Sequence, residues 1–412
     1  MAELRPFRAV RPNAEFAREV AALPYDVMNS DEARIEVSDK PNSFLHIDKS
    51  EVDLPIGTDL YAPEVYQKAR ENLYKMIEDK VFIQDDTPCF YIYKLTRNGR
   101  AQYGLVACAS VDEYLNGTIK KHELTLEKKE QDRIRHVETL NAQTGPIFLA
   151  YREKDEIDAL VSKWTKEHTP VYDFASEDGI SHTVWVVDDS ATVSEIAALF
   201  EKVPCLYIAD GHHRNASAVK VALKKRGQLG DDKNAEYNGY LSVIFPANQL
   251  EILDYNRVVK DLNGLSEPEF IEKIKQNFIV TETDGQAKPQ KRHTFGMYIS
   301  KKWYLLELKP SVADENDVIA SLDVSVMQKY ILSDILGIDD PRTDKRVDFV
   351  GGIRGLDELE RRTRHDCVLA FAMFPTSMTE LMNIADDNKI MPPKSTWFEP
   401  KLRSGLFVHL LV

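Results

Sequence analysis

The sequence predicts an α+β protein in which mixed sheets and helices alternate along the whole chain. Runs with helical periodicity and runs typical of strands follow one another, without the regular strand–helix alternation of a doubly wound sheet. The 412 residues are 43% hydrophobic, which is enough for a sizeable core, and the length suggests about two or three structural units or one large one. We expect an N-terminal α+β catalytic region at residues 1–262 and a C-terminal α+β region at 263–412 that closes the site.

The first clear elements are a helix and a hairpin. Residues 63–80 predict the helix, because Pro63 suits a first turn and apolar side chains from Val65 to Met76 recur on one face. Asn98-Gly99 between two apolar runs is a strong signal for a tight hairpin turn. Further strands are expected at 146–151, 183–187, 204–209, 240–245, 294–299, 303–308 and 368–374. Further helices are expected at 124–140, 267–278, 318–336 and 377–386.

Charge and composition exclude several classes of protein. The chain has 53 Lys and Arg against 67 Asp and Glu, a net charge of −14, which argues against a general nucleic-acid binder. The longest apolar stretch, 367–375, is far shorter than the roughly 20 residues that span a bilayer. Four single cysteines without a C-x-x-C pair predict a cytoplasmic protein without disulfides or a zinc ribbon. We therefore expect small-molecule partners, no nucleic acid and no membrane; an oligomer is compatible with the sequence.

The most informative segment runs from an apolar strand through Asp210 and Gly211 into a helix that begins near His212. A helix N-terminus attracts anions, and Gly211 lets the backbone approach a ligand that Arg214 can hold through two hydrogen bonds. A carboxylate beside an anion fits phosphoryl transfer, in which it accepts the hydroxyl proton while Mg²⁺ bridges phosphates. The alternative is that Asp210 or Asn215 merely caps the helix, which leaves the two histidines and Arg214 unexplained.

The histidines of this segment predict phosphate contact more than metal binding. Adjacent side chains usually diverge, so His212 and His213 are not expected to share a metal ion, and we predict no dedicated metal ligands. His122-Glu123 does not open a zinc-protease motif, because Leu126 stands where the second histidine is needed.

A locally basic stretch lies at residues 119–136, with six Lys and Arg against four Asp and Glu. If it is helical, one face presents residues at steps of three and four and can line a pocket for a polyphosphate. These residues are His122, Leu126, Lys129, Arg133 and His136. The alternative is a solvated helix with Glu–Lys pairs, and the sequence does not decide between the two.

Several short motifs together resemble the bacterial domain-of-unknown-function 1015 family. They are Pro24-Tyr25-Asp26-Val27, Lys121-His122-Glu123-x-Thr125 with Asp132-Arg133, Asp210-Gly211-His212-His213-Arg214, Tyr255-Asn256-Arg257, and Pro393-Lys394-Ser395-Thr396-x-Phe398-x-Pro400-Lys401. The resemblance covers essentially the whole chain. The Asp-Gly-His-His-Arg block also resembles the second motif of the ParB/sulfiredoxin-like superfamily, which implies a nucleotide-binding core of that kind.

Members of this family and similar ParB-like proteins include free L-serine kinases. The resemblance implies that ATP or ADP donates a phosphoryl group, that the phosphates lie at Gly211–Arg214, and that Asp210 or Glu123 is the base. His212 is a further candidate catalytic residue, and Lys129 and Arg133 are expected to offset charge on the phosphates. His122, Asp26 and Arg257 are the expected substrate contacts, with Arg342 as an alternative to Arg257 for the substrate carboxylate.

Two other functions remain open at this point. A ParB-like nucleotide-binding regulator would bind nucleotide without phosphorylating small molecules, and it would usually carry a basic DNA-binding surface, which the acidic chain does not suggest. A phosphohydrolase would use Asp210 and the two histidines around a metal ion, and it would release phosphate without an acceptor.

Overall fold

The computed structural model of the protein describes residues 1–230, 232–314 and 317–411. The chain forms two compact units. Unit 1 contains residues 1–250 and the segment that begins at Pro400, whereas unit 2 is Glu251–Glu399. The chain therefore leaves unit 1, forms unit 2 and then returns. These bounds differ from the regions 1–262 and 263–412, whose assignment to catalysis and to closing the site stays a prediction.

Strands and helices occur in both units, so the α+β class is confirmed. The strands are β1 (Leu4–Arg5), β2 (Val10–Pro12), β3 (Phe82–Gln84), β4 (Phe90–Arg97), β5 (Arg100–Ser110), β6 (Ile119–Lys120), β7 (Ala142–Gln143), β8 (Ile147–Tyr151), β9 (Tyr172–Ala175), β10 (Ser181–Val187), β11 (Leu206–Asp210), β12 (Gly239–Pro246), β13 (Glu251–Leu253), β14 (Tyr255–Val259), β15 (Phe278–Thr283), β16 (Thr294–Ile299), β17 (Lys302–Leu308), β18 (Val347–Gly351), β19 (Leu369–Ala372), β20 (Trp397–Glu399) and β21 (His409–Leu410). The helices are α1 (Ala17–Val20), α2 (Ser30–Glu36), α3 (Leu45–Asp48), α4 (Pro63–Glu78), α5 (Val111–Asn116), α6 (Glu127–Leu140), α7 (Asp155–Glu167), α8 (Ser190–Phe200), α9 (His212–Leu229), α10 (Glu267–Asn277), α11 (Asp323–Met327), α12 (Gly355–His365) and α13 (Met378–Asp386).

Unit 1 is built on a mixed sheet with the strand order β6-β11-β8-β12-β5-β4-β10-β9, and β1 is added beside β5. The predicted hairpin is confirmed: β4 and β5 pair up to Arg97 and Arg100 across Asn98 and Gly99, both of which have positive φ. Every residue of β8 is buried, as expected for a central strand between two layers. Helix α9 packs on this sheet through small side chains such as Ala218 and Ala222.

The C-terminal segment of unit 1 belongs to a second hydrophobic core. Val408 is fully buried and pairs with Val10 near the start of the chain. It packs with one face of α4, whose predicted apolar residues are buried as expected. Strand β21 in the same segment pairs with β7, which precedes the central strand β8. Residues 402–409 are all buried and are therefore part of the interior of unit 1.

Unit 2 contains an antiparallel sheet with the strand order β15-β17-β16-β19-β14-β18, against which α12 packs through Leu359. The predicted strands at 294–299, 303–308 and 368–374 correspond to β16, β17 and β19. The predicted helix at 318–336 is wrong as a single α-helix, because α11 gives way to a π-helical turn at Gln328–Ser333. There the Asp334 N–H donates to the carbonyl of Lys329, five residues earlier, whereas an α-helix would use the residue four earlier.

The cysteines are free thiols, and three of them, Cys89, Cys108 and Cys367, are buried. Burial raises the pKa of the Cys108 thiol well above its usual value. Across residues 1–230, 232–314 and 317–411, no helix has the length and apolar character needed to cross a membrane.

Glu113 on α5 is a buried carboxyl whose charge is poorly compensated. Its Oε1 accepts a hydrogen bond from the Glu3 backbone N–H at 2.8 Å, while its Oε2 has no hydrogen-bond partner among the described residues. Burial raises the pKa of Glu113 from 4.5 to about 7. Between pH 4.5 and about pH 7 the folded protein therefore keeps a proton on Glu113 that the unfolded chain has released. As the pH rises through this range, the group lowers the free energy of unfolding.

We expect Glu113→Gln to unfold like the natural protein at about pH 5 and to be more stable at about pH 8, by roughly 1–3 kcal/mol. The reason is that Gln cannot acquire the buried charge. Urea unfolding at both pH values measures the difference. Glu71→Gln, at an exposed position of α4, is the control and should show no such pH-dependent gain. A Glu113→Gln variant that follows the natural protein at both pH values would contradict the assignment.

Candidate functional site

Two parallel strand ends in unit 1 bring distant segments together. Strand β6 pairs in parallel with β11, with Ile119 opposite Leu206 and Lys120 opposite Tyr207. Parallel strands end at the same edge of a sheet, so His122 and Glu123, which follow β6, lie beside the end of β11. The His122 ring is hydrogen-bonded to the Ile208 backbone and interacts electrostatically with Asp210. The Lys-His-Glu and Asp-Gly-His-His-Arg motifs therefore lie side by side.

The helix predicted at 124–140 begins later, at Glu127, so the predicted start was wrong. Leu126 has extended backbone angles, and its N–H donates to Nε2 of His213 at 3.0 Å instead of entering the helix. His122 and Leu126 consequently do not share the helical face with Lys129, Arg133 and His136. His122 reaches the site through the loop after β6.

Gly211 makes the turn between β11 and α9, with φ of +92°, a conformation that favours glycine. A Cβ placed on it would lie 3.1 Å from a guanidinium nitrogen of Arg214, so there is also little room for a side chain. Gly211 is the N-cap residue of α9 and offers no side chain to satisfy the first N–H groups of the helix. The predicted strand–turn–helix is thus present, and side-chain capping by Asp210 or Asn215 is not what the structure shows.

Asp210 forms an ion pair with Lys401, for which the sequence predicts no role. Lys401 Nζ donates to Asp210 Oδ2 at 2.9 Å, across 191 positions of the chain. Burial alone would raise the pKa of Asp210, but Lys401 and Arg214 outweigh it and hold the pKa below its usual range. Asp210 is therefore an ionised carboxylate next to the N-terminus of α9. The closing motif around Pro400-Lys401 carries the only sequence signal for this contact.

His212, the first residue of α9, lies against His122. Their ring centroids are 4.4 Å apart with the planes nearly perpendicular, and Nδ1 of His212 is 3.7 Å from a carboxylate oxygen of Glu123. Burial lowers the pKa of His122 to about 4 and, together with His122, lowers the pKa of His212 well below its usual value. Both rings are therefore neutral at physiological pH, each with one nitrogen free to accept.

Arg214 occupies the space between two glycines. Its Nη1 donates to the carbonyl of Pro146 at 2.5 Å, and an added Cβ on Gly145 would lie 3.3 Å from its Cδ. Burial opposes the charge, yet Asp26 and Asp210 outweigh it and raise the pKa of Arg214. Its Nε has no hydrogen-bond partner among the described residues. A half-buried cation with an unused donor at a helix N-terminus is suited to binding an anion.

A cavity of about 250 Å³ adjoins α6 and is lined by charged groups of both signs. It includes Asp26, Lys129, Arg133 and His213, all predicted site residues. The guanidinium of Arg133 stacks 4.0 Å from the ring centroid of Tyr25 and donates to Asp132. Tyr66 also donates to Asp132, at 2.8 Å, so this wall of the cavity is held by a hydrogen-bonded network.

The structure thus gathers most of the predicted site residues in unit 1. On the strand edge and the start of α9 lie His122, Glu123, Asp210, Gly211, His212 and Arg214; Asp26, Lys129, Arg133 and His213 line the cavity. Arg257 belongs to unit 2, where it is buried and donates to the carbonyls of Tyr255 and Lys394. Arg342 lines a separate cavity of about 300 Å³ together with Arg257. A substrate role for Arg257 or Arg342 stays a prediction.

Sequence reasoning missed three residues of the site besides Lys401. Tyr25 stacks on Arg133, and Asp132 accepts from both Arg133 and Tyr66. Asp48 lines the cavity and accepts from the Thr144 hydroxyl at 2.6 Å. Tyr25 and Asp132 stand within the quoted motifs, whereas nothing in the sequence around Asp48 distinguishes it from an ordinary surface acid.

No curated protein matches the chain. Among solved structures, a free serine kinase in complex with AMP is similar at 16% identity, with 72% of this chain and 86% of that chain covered and a TM-score of 0.36. A conserved hypothetical protein from Pyrococcus furiosus is similar at 15% identity, with 74% of this chain and 95% of that chain covered and a TM-score of 0.35. SbnI with a C-terminal truncation from Staphylococcus aureus is similar at 12% identity, with 74% of this chain and 87% of that chain covered and a TM-score of 0.37. At these values the likeness transfers no activity to this chain. A family model does match residues 4–325, most of the chain, and the protein therefore belongs to the family described as protein of unknown function DUF1015.

Proposed function

We propose that the protein is a cytoplasmic small-molecule kinase that transfers a phosphoryl group from ATP or ADP to the hydroxyl of free L-serine, giving O-phospho-L-serine. One observation carries this proposal: the N-terminus of α9, Arg214 and Asp210 meet at one edge of the sheet. An anion site that directly adjoins a carboxylate is what transfer of a phosphate to a hydroxyl requires. The resemblance to ParB/sulfiredoxin-like proteins supports the same nucleotide-binding role.

The phosphates of the nucleotide would lie at the N-terminus of α9. The first N–H groups of this helix and its positive dipole end stabilise an anion there, and Arg214 adds a charged donor. His213 extends the site toward α6, where Lys129 and Arg133 line the adjoining cavity. These cations would stabilise the charge on the transferred group.

The cavity beside α6 is the proposed site of the amino acid. Free serine is a zwitterion, and this cavity presents acidic and basic groups side by side. Asp26 would hold the ammonium group and Arg133 the carboxylate, since each matches the opposite charge. Lysine or arginine from unit 2 is not needed for this arrangement.

Asp210 and Glu123 are the two candidates for the base that accepts the hydroxyl proton. Both lie at the phosphate site, and both offer the carboxylate oxygens that Mg²⁺ prefers. A Mg²⁺ ion that arrives with the nucleotide would neutralise charge on its phosphates. Lys401 keeps Asp210 oriented through their ion pair. We assign the base to Asp210, because it stands directly at the turn into α9.

The direct test incubates the purified protein with L-serine, Mg²⁺ and either ATP or ADP, and measures O-phospho-L-serine by ³¹P NMR. We expect product with one of the two donors and none without serine. Absence of phosphoserine with both donors would overturn the serine assignment. Release of phosphate without an acceptor would indicate a phosphohydrolase, and nucleotide binding without either reaction would indicate a ParB-like regulator.

A further inference from the structure

His122, Glu123 and His212 form a compact cluster of metal-ligating side chains. One donor atom from each lies within 4.8 Å of the others. Two of the three residues are almost completely buried: the exposed fraction is 2% for His122 and 5% for His212. The cluster combines two segments that the β6–β11 pairing brings side by side. It is therefore a product of the fold rather than of a local sequence motif.

The unused ring nitrogens of this cluster point to a ligand. Nδ1 of His122 and Nε2 of His212 are buried without a hydrogen-bond partner among the described residues. Buried polar atoms normally have partners, so an unpartnered nitrogen on each of two rings in contact requires an explanation. An imidazole nitrogen without a hydrogen-bond partner is the kind of atom that coordinates a metal ion.

The surroundings of His122 have the arrangement usual around metal-bound histidines. With Nδ1 unpartnered, its hydrogen bond to the Ile208 backbone falls to Nε2. Such a bond from the second ring nitrogen to a carbonyl fixes the tautomer and the ring orientation. The neighbouring His213 differs, because its Nε2 accepts from the Leu126 N–H and is not available. The two adjacent histidines thus diverge, as expected, and His212 is paired with His122 instead.

We propose that His122, Glu123 and His212 bind one divalent transition-metal ion. Two imidazoles and a carboxylate suit Zn²⁺, Mn²⁺, Co²⁺ or Fe²⁺, whereas Mg²⁺ prefers an all-oxygen shell. Three protein ligands leave coordination positions open. The site lies at the N-terminus of α9, so an open position would receive a phosphate oxygen; this second part rests on the proposed kinase function, and the metal site itself does not.

The test measures metal binding without nucleotide or serine. The chain is stripped with a chelator, dialysed against Co²⁺ or Zn²⁺ in excess Mg²⁺, and its metal content and Co²⁺ visible spectrum are recorded. We expect one equivalent of transition metal, with His122→Ala and Glu123→Gln weakening binding by about 100-fold or more. Glu123 is half exposed, so its variant should fold even if the histidine variant does not.

His213→Asn is the matched control, because it changes the adjacent histidine outside the cluster, and it should keep the bound metal. The proposal would be overturned if the natural protein held no stoichiometric transition metal, or if an equal concentration of Mg²⁺ displaced it. It would also be overturned if Glu123→Gln bound the metal as tightly as the natural protein. Failure of the kinase assay together with cluster-dependent metal binding would instead reject the kinase function and leave the metal site intact. If ADP alters the visible spectrum of the Co²⁺-loaded protein, coordination of a phosphate oxygen to the metal is supported. If ADP binds and the spectrum does not change, the proposed phosphate coordination is overturned.

Discussion

Replacing Asp210 by Asn is expected to lower the turnover number for phosphoserine formation by roughly 100- to 10,000-fold, while nucleotide affinity changes by only a few-fold. The Asn side chain keeps the shape of the strand end and can still accept a hydrogen bond from Lys401. It cannot take the hydroxyl proton. Steady-state kinetics with varied serine, together with calorimetric titration of ADP, separates the two quantities.

A second acidic residue provides the control for this experiment. Asp178 pairs with Arg403 in unit 1, as Asp210 pairs with Lys401, but it lines a different cavity. Asp178→Asn should affect stability without removing turnover. An Asp210→Asn variant that keeps more than about a tenth of the natural turnover number would exclude Asp210 as the base, given the size expected for such catalysis. The metal content of Asp210→Asn should stay normal, which distinguishes it from Glu123→Gln.

Replacing Arg214 by Lys is expected to weaken ADP binding by about 10- to 100-fold, the range that corresponds to the loss of one charge-assisted hydrogen bond. The planar guanidinium fills the space between Gly145 and Gly211 and presents an unpaired Nε donor. Lys retains the charge but cannot present two parallel donors to a phosphate. Calorimetric titration at fixed ionic strength measures the change.

Arg226→Lys is the matched control, because Arg226 lies on the same helix, near its opposite end, and pairs with Asp112 at 2.7 Å. That variant should bind ADP as the natural protein does. Equal ADP affinity for Arg214→Lys and the natural protein would place the phosphates away from the start of α9. A similar loss of ADP affinity in both variants would indicate a general effect of replacing Arg by Lys in this helix rather than a specific contact of Arg214.

Local chemistry explains which parts of the fold the sequence predicts. The Asn98-Gly99 turn, the helix that begins at Pro63 and the turn at Gly211 all depend on neighbours within a few residues. Each is therefore visible as a pattern. Helix α11 is not, because the apolar run around it suits an α-helix and gives no sign of the wider π-helical turn at Gln328–Ser333.

The candidate site is harder to predict, since its parts are distant in the chain. Parallel pairing of β6 with β11 determines that His122 meets His212, and no periodicity within either segment reveals that pairing. The predicted start of α6 was wrong for the same reason, because the Leu126 N–H donates to the distant His213 instead of entering the helix. Arg257 was predicted as a substrate contact on its charge alone, and it lies in unit 2.

The return of the chain to unit 1 at Pro400 has a consequence for the order of synthesis. Val408 completes a core whose other buried members lie between Val10 and Ala142, and Lys401 completes the ion pair with Asp210. Residues 251–399 must be translated in between. At about 5–20 residues per second, unit 1 therefore waits on the order of ten to thirty seconds on the ribosome with an open core and an unpaired Asp210. A nascent chain in this state is a natural client for chaperones, and Asp210 gains its partner Lys401 only after unit 2 has been synthesised.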